Sequence, residues 1–194
     1  MLRRRREGRT DYRARLAMVK SRTARIVIRK SLNNIHIQVI DYSTTGDKTV
    51  INVFSKKLAK YDWKYHGGSM PSAYLIGFLA GNMALSKGIK TAYLDIGLQT
   101  STKGSVLYAA ALGAKDSGLN VPIGKDILPS QDRISGKHIA KYAEALKKSD
   151  QAKYNRQFSY YNKNNLEAEK MPEKFAETKS KINGEYSGKE RDLL

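Results

Sequence analysis

Two observations predict an α/β fold with a mixed sheet and packed helices. Three short runs alternate polar and apolar residues and are joined by turn-forming residues. After them the pattern switches to helical spacing on either side of a fourth alternating run. The order β-β-β-α-β-α places an antiparallel meander first and brings the fourth strand in by a helical crossover, which makes the sheet mixed.

The first 22 residues precede this pattern. RRRREGRTDYRARLAMVKS alternates charge with small and polar residues and offers no apolar face large enough to fold alone. It is expected to be a basic arm that orders on its partner, with Tyr12 to Lys20 turning helical there.

The core is expected over residues 23–148. Ala24, Ile26 and Ile28 alternate with Thr23, Arg25, Val27 and Arg29, which predicts a half-buried first strand. Asn33-Asn34 predicts a tight turn, because Asn tolerates positive φ. Ile35 to Val39 forms the second strand, and Thr45-Gly46-Asp47-Lys48 turns the chain into a third over Thr49 to Ser55. Beyond Gly67-Gly68-Ser69-Met70-Pro71, Tyr74, Leu75, Phe78, Leu79 and Met83 recur at helical spacing up to Gly88. Ala73, Gly77 and Gly81 form a ridge of small residues expected to lie close against the sheet. Thr91 to Leu98 is the fourth strand, with Ala92, Leu94, Ile96 and Leu98 on one face. A second helix is expected from Gly104 to Ser117, ending at Gly118, and Ile123 marks a short fifth strand. Ser135 is the expected N-cap of a third helix carrying Ile139, Ala143 and Leu146. Residues 149–194 read as a polar, partly helical extension, a peripheral tail with weak helices and a capped piece near Pro172.

The net charge of +18, with 36 Lys and Arg against 18 Asp and Glu, makes nucleic acid the first partner to consider. The charge is concentrated. Met1 to Lys30 carries a net +10, Ser31 to Ala145 +5 and Leu146 to Leu194 +3. The chain has no cysteine, which excludes disulfides and thiolate catalysis. The start lacks an apolar stretch of signal-peptide length, and the run Ala73 to Leu85 is too short to span a bilayer. A soluble, cytoplasmic protein with no membrane partner is expected.

Arg3, Arg4, Arg5, Arg6, Arg9, Arg13 and Arg15 are the leading candidates for RNA contact, since guanidinium forks suit phosphate and stack on bases. A localisation signal or a solubilising tail is the alternative reading. Arg22, Arg25 and Arg29 continue the charge onto the first strand, where a sheet face bearing arginines offers a platform for a folded phosphate backbone. An ordinary solvated strand face is the bland alternative. Tyr61, Trp63, Tyr65 and His66 interleave with Lys57, Lys60 and Lys64, a pattern that suits stacking on unpaired bases. It fits equally well a loop that packs Trp63 against the core. The loop Gly97 to Gly104 follows a strand and precedes a helix but lacks the glycine spacing of a nucleotide-binding fingerprint.

No catalytic residue, metal site, cofactor or small-molecule substrate is expected. His36, His66 and His138 are isolated. Asp41 and Asp95 read as structural acceptors, and the first strand carries arginine where a metal-dependent nuclease needs an acid.

The arm RRRREGRTDYRARLAMVKS closely resembles that of the archaeal and eukaryotic large-subunit ribosomal protein family that binds 5S ribosomal RNA, the L-eighteen family (L-five in eukaryotic naming). The resemblance continues through ARIVIRKSLNNIHIQVIDY, the Tyr65-His66-Gly67-Gly68 approach to the first helix, AYLDIGL, SGKHIAKYAEAL and MPEKFAETKSKI. It covers nearly the whole chain except the linker between Ser149 and Glu169. It implies a ribonuclease-H-like scaffold without an active site, and a structural role in which 5S rRNA is anchored to the large-subunit rRNA in the central part of the particle. By this resemblance the arm arginines contact RNA phosphates, while Arg22, Arg25, Arg29, Asn33 and Asn34 face the 5S surface. Lys64 and His66 are added from the aromatic and lysine cluster. The extension is expected on large-subunit rRNA or neighbouring large-subunit ribosomal proteins. The chain length is expected of the archaeal form. A general basic nucleic-acid-binding protein outside the ribosome is the alternative.

Overall fold

The computed structural model describes residues 2–187. Met1 and residues 188–194, the outer ends of the expected arm and extension, lie outside the described residues.

The arm contains a single helical turn, α1 (Arg3–Arg6), and a helix α2 (Tyr12–Lys20). Asp11 caps α2, its carboxylate accepting from the backbone N–H groups of Arg13 at 2.9 Å and Ala14 at 3.1 Å. The helix expected over Tyr12 to Lys20 is formed. Arg22 at φ +51° redirects the chain into the sheet.

The strands are β1 (Ala24–Lys30), β2 (Ile35–Ser43), β3 (Gly46–Phe54) and β4 (Ala92–Asp95), in the order β3-β2-β1-β4. The first three are antiparallel, and β4 runs parallel to β1. This is the mixed sheet that the pattern predicts. β1 lies inside it and is buried on both faces through Arg25, Ile26, Val27 and Ile28, rather than half-buried. The turn after β1 closes when Ser31 N–H donates to the Asn34 carbonyl at 2.8 Å, and neither asparagine takes positive φ. The Thr44-Thr45 hairpin is tighter than expected, with Ser43 paired to Gly46, so β3 begins three residues early. A bulge at Val39/Ile40 leaves Val50 out of the ladder.

A 3-10 segment (Ser55–Tyr61) leads to α3 (Met70–Leu85), capped by Ser69. Helix α3 is buried on every side, the mark of a central helix. Its small-residue ridge does not meet the sheet. A Cβ on Gly77 would overlap the Ala110 carbonyl, and one on Gly81 would lie 2.8 Å from the Ala114 carbonyl; both belong to α4 (Val106–Asp116). Gly113 of α4 faces the Tyr74 carbonyl of α3 in the same way. The two helices meet backbone to backbone, while the bulky Ile and Leu side chains of the sheet hold α3 further off.

β4 stops at Asp95, because Gly97 turns at φ +63°, so Ile96 and Leu98 are not on the strand. The fifth strand at Ile123 is not formed. The only trace of pairing nearby is a parallel bridge between Thr91 and Asn120. After a 3-10 turn (Lys125–Ile127) and the short α5 (Gln131–Ile134), Gly136 rather than Ser135 takes the N-cap of α6 (Lys137–Ser149).

Three helices follow, α7 (Gln151–Gln157), α8 (Ser159–Lys163) and α9 (Met171–Ser187). The last is no weak peripheral tail. Met171, Phe175 and Ile182 join the main core, and Thr178 is buried against the Tyr61 carbonyl. Lys179 donates to the Tyr74 hydroxyl at 2.6 Å, and that hydroxyl donates to Asp116 at 2.7 Å, linking α9, α3 and α4. A second cluster of Ala143, Leu146, Tyr154, Phe158 and Ala168 fixes α6 to α7. Among the described residues no helix is long and apolar enough to cross a membrane.

Gly77→Val is expected to lower stability by at least about 3 kcal/mol in urea denaturation, because overpacking here strikes backbone rather than a flexible side chain. Gly124→Ala, at φ −64° with open space around it, is the control and should melt as the parent does. A Gly77→Val midpoint equal to the parent's would refute the close α3–α4 contact.

Candidate nucleic-acid interface

The face of the sheet away from α3 carries side chains at alternate positions of β1, which is why Arg25, Val27 and Arg29 stand together there. Arg25 is almost fully buried. Its guanidinium reaches Asp47 of β3 at 2.8 Å and Asp95 of β4 at 3.4 Å. Arg29 pairs with Asp95 at 2.9 Å and also donates to the Asp95 carbonyl at 2.7 Å. Arg15 of α2 joins Asp47 at 2.7 Å, so the arm helix is tied to the sheet through the same carboxylate. Asp95 additionally accepts the Gly97 N–H at 2.8 Å. The charges form a row, Arg15–Asp47–Arg25–Asp95–Arg29, running from the arm across the sheet.

This row separates the candidate residues into two groups. Arg15, Arg25 and Arg29 hold intramolecular partners. Arg3, Arg4, Arg5, Arg6, Arg9, Arg13 and Arg22 are exposed. Arg3 and Arg9 pair with Glu7 at 3.7 and 3.4 Å with the arginines mostly in solvent, and Arg4 donates to Thr10. Exposed pairs of this kind contribute little and exchange readily for a phosphate. Asp95 is the structural acceptor that the sequence suggests. Among the described residues no cluster of three His, Asp or Glu could hold a metal ion.

Further along the open face His36 stacks on Phe54 with ring centroids 3.9 Å apart, and its Nε2 meets the Asn52 side chain. Phe54 remains about half exposed.

The aromatic cluster resolves in favour of packing. Tyr61, Trp63 and Tyr65 are buried; Trp63 Nε1 donates to Ser72 at 2.7 Å and the Tyr65 hydroxyl to the Glu167 carbonyl at 2.8 Å. Their burial explains the interleaving with lysines. Residues 61, 63 and 65 point inward, leaving Lys60 and Lys64 outside. His66 stays exposed with Lys64, and both border an open groove that includes Asn33 and Asn34. The fold therefore brings together four candidate residues from two distant segments. Sequence reasoning does not single out Asp47, which it places in a turn, or Lys56 and Tyr160, which also border the groove.

Residues 1–90, spanning the arm, the three-stranded meander and α3, match the family model of a class of large-subunit ribosomal proteins. The family is described as ribosomal large subunit proteins 60S L5 and 50S L18, and the first 90 residues of the chain are similar to it.

Two outcomes test this geometry. Arg25→Ala leaves Asp95 and Asp47 facing each other without the guanidinium between them. It should cost about 3 kcal/mol or more in urea denaturation, and a loss under about 1 kcal/mol would mean that the row is incidental. The second concerns Tyr65, whose hydroxyl is pushed up from 10.0 to about 12 by burial first, with nearby Tyr161 and Glu167 adding to it. The folded state holds this proton more tightly than the unfolded chain does. Its contribution is thus complete below pH 10 and is lost as pH rises toward 12. The urea midpoint of the parent should fall more steeply over that interval than that of Tyr65→Phe; parallel curves would remove Tyr65 from the linkage.

Proposed function

We propose that this protein binds 5S rRNA and anchors it to the large-subunit rRNA in the central part of the particle, as a structural and non-catalytic constituent. The observation that carries this reading is the arm. Arg3 to Arg6, Arg9 and Arg13 stand exposed on a segment tied to the sheet by Arg15 and Asp47, so a cluster of guanidiniums is offered in one place. A phosphate backbone laid over the arm would meet these groups and Arg22 directly, releasing counterions as it does so.

Arg25 and Arg29 serve this reading from beneath. Their pairs with Asp47 and Asp95 cancel the carboxylates that would otherwise repel RNA from the sheet. The same pairing argues against hydrolysis, because each carboxylate on this face already faces at least one guanidinium. Residues 1–22 act as the RNA-binding arm, 23–148 as the scaffold and 149–194 as the segment that meets large-subunit rRNA or neighbouring ribosomal proteins. The ribosome is then the place of work, in the cytoplasm, and no cofactor is required.

The test is a titration of the protein against 5S rRNA in competition with transfer RNA of similar size at moderate salt. Preference for 5S rRNA is expected, and equal competition would reduce the protein to a general polyanion binder. Replacing Arg3 to Arg6 with Ala should weaken binding and flatten the salt dependence by roughly 0.7 to 0.9 per lost phosphate contact. An unchanged slope would take the arm out of the contact surface.

A further inference from the structure

The groove beside the β1–β2 turn has three walls from distant parts of the chain. One is the turn itself, with Asn33 and Asn34. The second is the segment from Lys56 to His66, and the third is α8, with Tyr160. Its shape is fixed by packing. Gly68 lies so close to the turn that a Cβ there would be 2.9 Å from the Leu32 carbonyl. Helix α8 is held against the second wall by Tyr161, whose ring meets Tyr65 edge-on at 5.3 Å.

The polar groups of the groove are oriented. His66 Nδ1 accepts the Gly68 N–H at 3.2 Å, which puts the imidazole proton on Nε2, and Nε2 donates to Asn33 Oδ1 at 3.4 Å. Asn34 Oδ1 accepts from Ser55 Oγ at 3.2 Å, and Ser55 Oγ in turn accepts the Ile35 N–H. Both asparagines therefore have their carbonyl oxygens engaged and their amide N–H groups left to face outward. Lys56 and Lys64 are exposed, and neither joins an ion pair among the described residues. Tyr160 is 56% exposed, with Tyr161 meeting its ring edge-on at 5.8 Å.

Donor amides, two exposed ammoniums and a half-exposed aromatic ring on three walls match one kind of ligand. We propose that this groove takes a single unpaired nucleotide of ribosomal RNA, splayed out of its stack. The base lies on Tyr160, its acceptor edge meets the Asn33 and Asn34 amides, and its phosphates meet Lys56 and Lys64. This rests on the RNA-binding reading and extends it to residues beyond the matched first 90, since Tyr160 lies on α8. A base with carbonyl oxygens, guanine or a pyrimidine, suits the donors better than adenine.

The experiment uses the full chain, its Tyr160→Ala, Tyr160→Phe and Lys64→Gln variants, and two probes: a mixed-sequence single-stranded RNA hexanucleotide and 5S rRNA. For the hexanucleotide, Tyr160→Ala should weaken binding about ten-fold with an unchanged salt slope, and Tyr160→Phe should bind as the parent does. Lys64→Gln should lower the slope by roughly 0.7. A matching loss on 5S rRNA assigns the nucleotide to that RNA; an unchanged 5S affinity beside the hexanucleotide loss assigns it to large-subunit rRNA. Hexanucleotide binding equal in all four proteins, or absent while 5S rRNA still binds, overturns the groove and leaves the arm reading intact. Failure of the parent to bind either RNA overturns the RNA-binding reading itself.

Discussion

Helix α3 has no polar face to give to water, and most of the architecture follows from covering it. The sheet takes one side through β2 and β3, α4 takes another through glycine and alanine, and α9 closes a third with Met171, Phe175 and Ile182. These contacts differ in kind. The sheet contributes transfer of large aliphatic surface out of water. The α4 contact contributes dispersion between backbones that only glycine allows to approach, and the α9 contact adds a cation over two rings, Lys179 above Tyr74 and Phe78. A core built on one enclosed helix is sensitive to the loss of any one cover.

The opposite face of the sheet is organised by charge instead. Two aspartates from the outer strands and three arginines from the arm and β1 neutralise one another in a row, so the region next to the sheet is close to balanced. The surplus that makes the chain so basic stands outside that row, and its densest part is on the arm. The arrangement divides one residue type in two: inner arginines hold the scaffold and arm together, and outer ones stay exposed. Sequence position alone does not reveal the division, since Arg13 and Arg15 look equivalent until Asp47 is placed beside one of them.

Local signals were legible and long-range ones were not. Alternation located β1, β2 and β3, and Ser69 with the following Pro marked the start of α3, because those features act within a few residues. The partner of the Gly77 ridge was misassigned, since a row of small residues records close approach without recording what approaches. The burial of α9 was missed because its apolar residues are few and widely spaced among charges. Its contacts reach residues about a hundred positions earlier, as Phe175 does with Tyr74 and Thr178 with Tyr61. The interface followed the same rule. The exposure of the arm arginines follows from their local sequence, whereas the groove needs Asn33, Lys64 and Tyr160 brought together by the fold.

The position of α9 also bears on how the protein is made. Synthesis runs from the arm to the tail, so the arm, sheet and α3 leave the ribosome well before the helix that completes the core. Until α9 follows, the nascent chain carries an apolar flank around Tyr61, Tyr74 and Phe78 beside a fully formed polybasic arm. Such an intermediate is sticky in two ways at once, toward other apolar surfaces and toward any nearby RNA. Helix α9 thus acts as a completion signal, since only a chain translated through it can hide the surface that would otherwise aggregate.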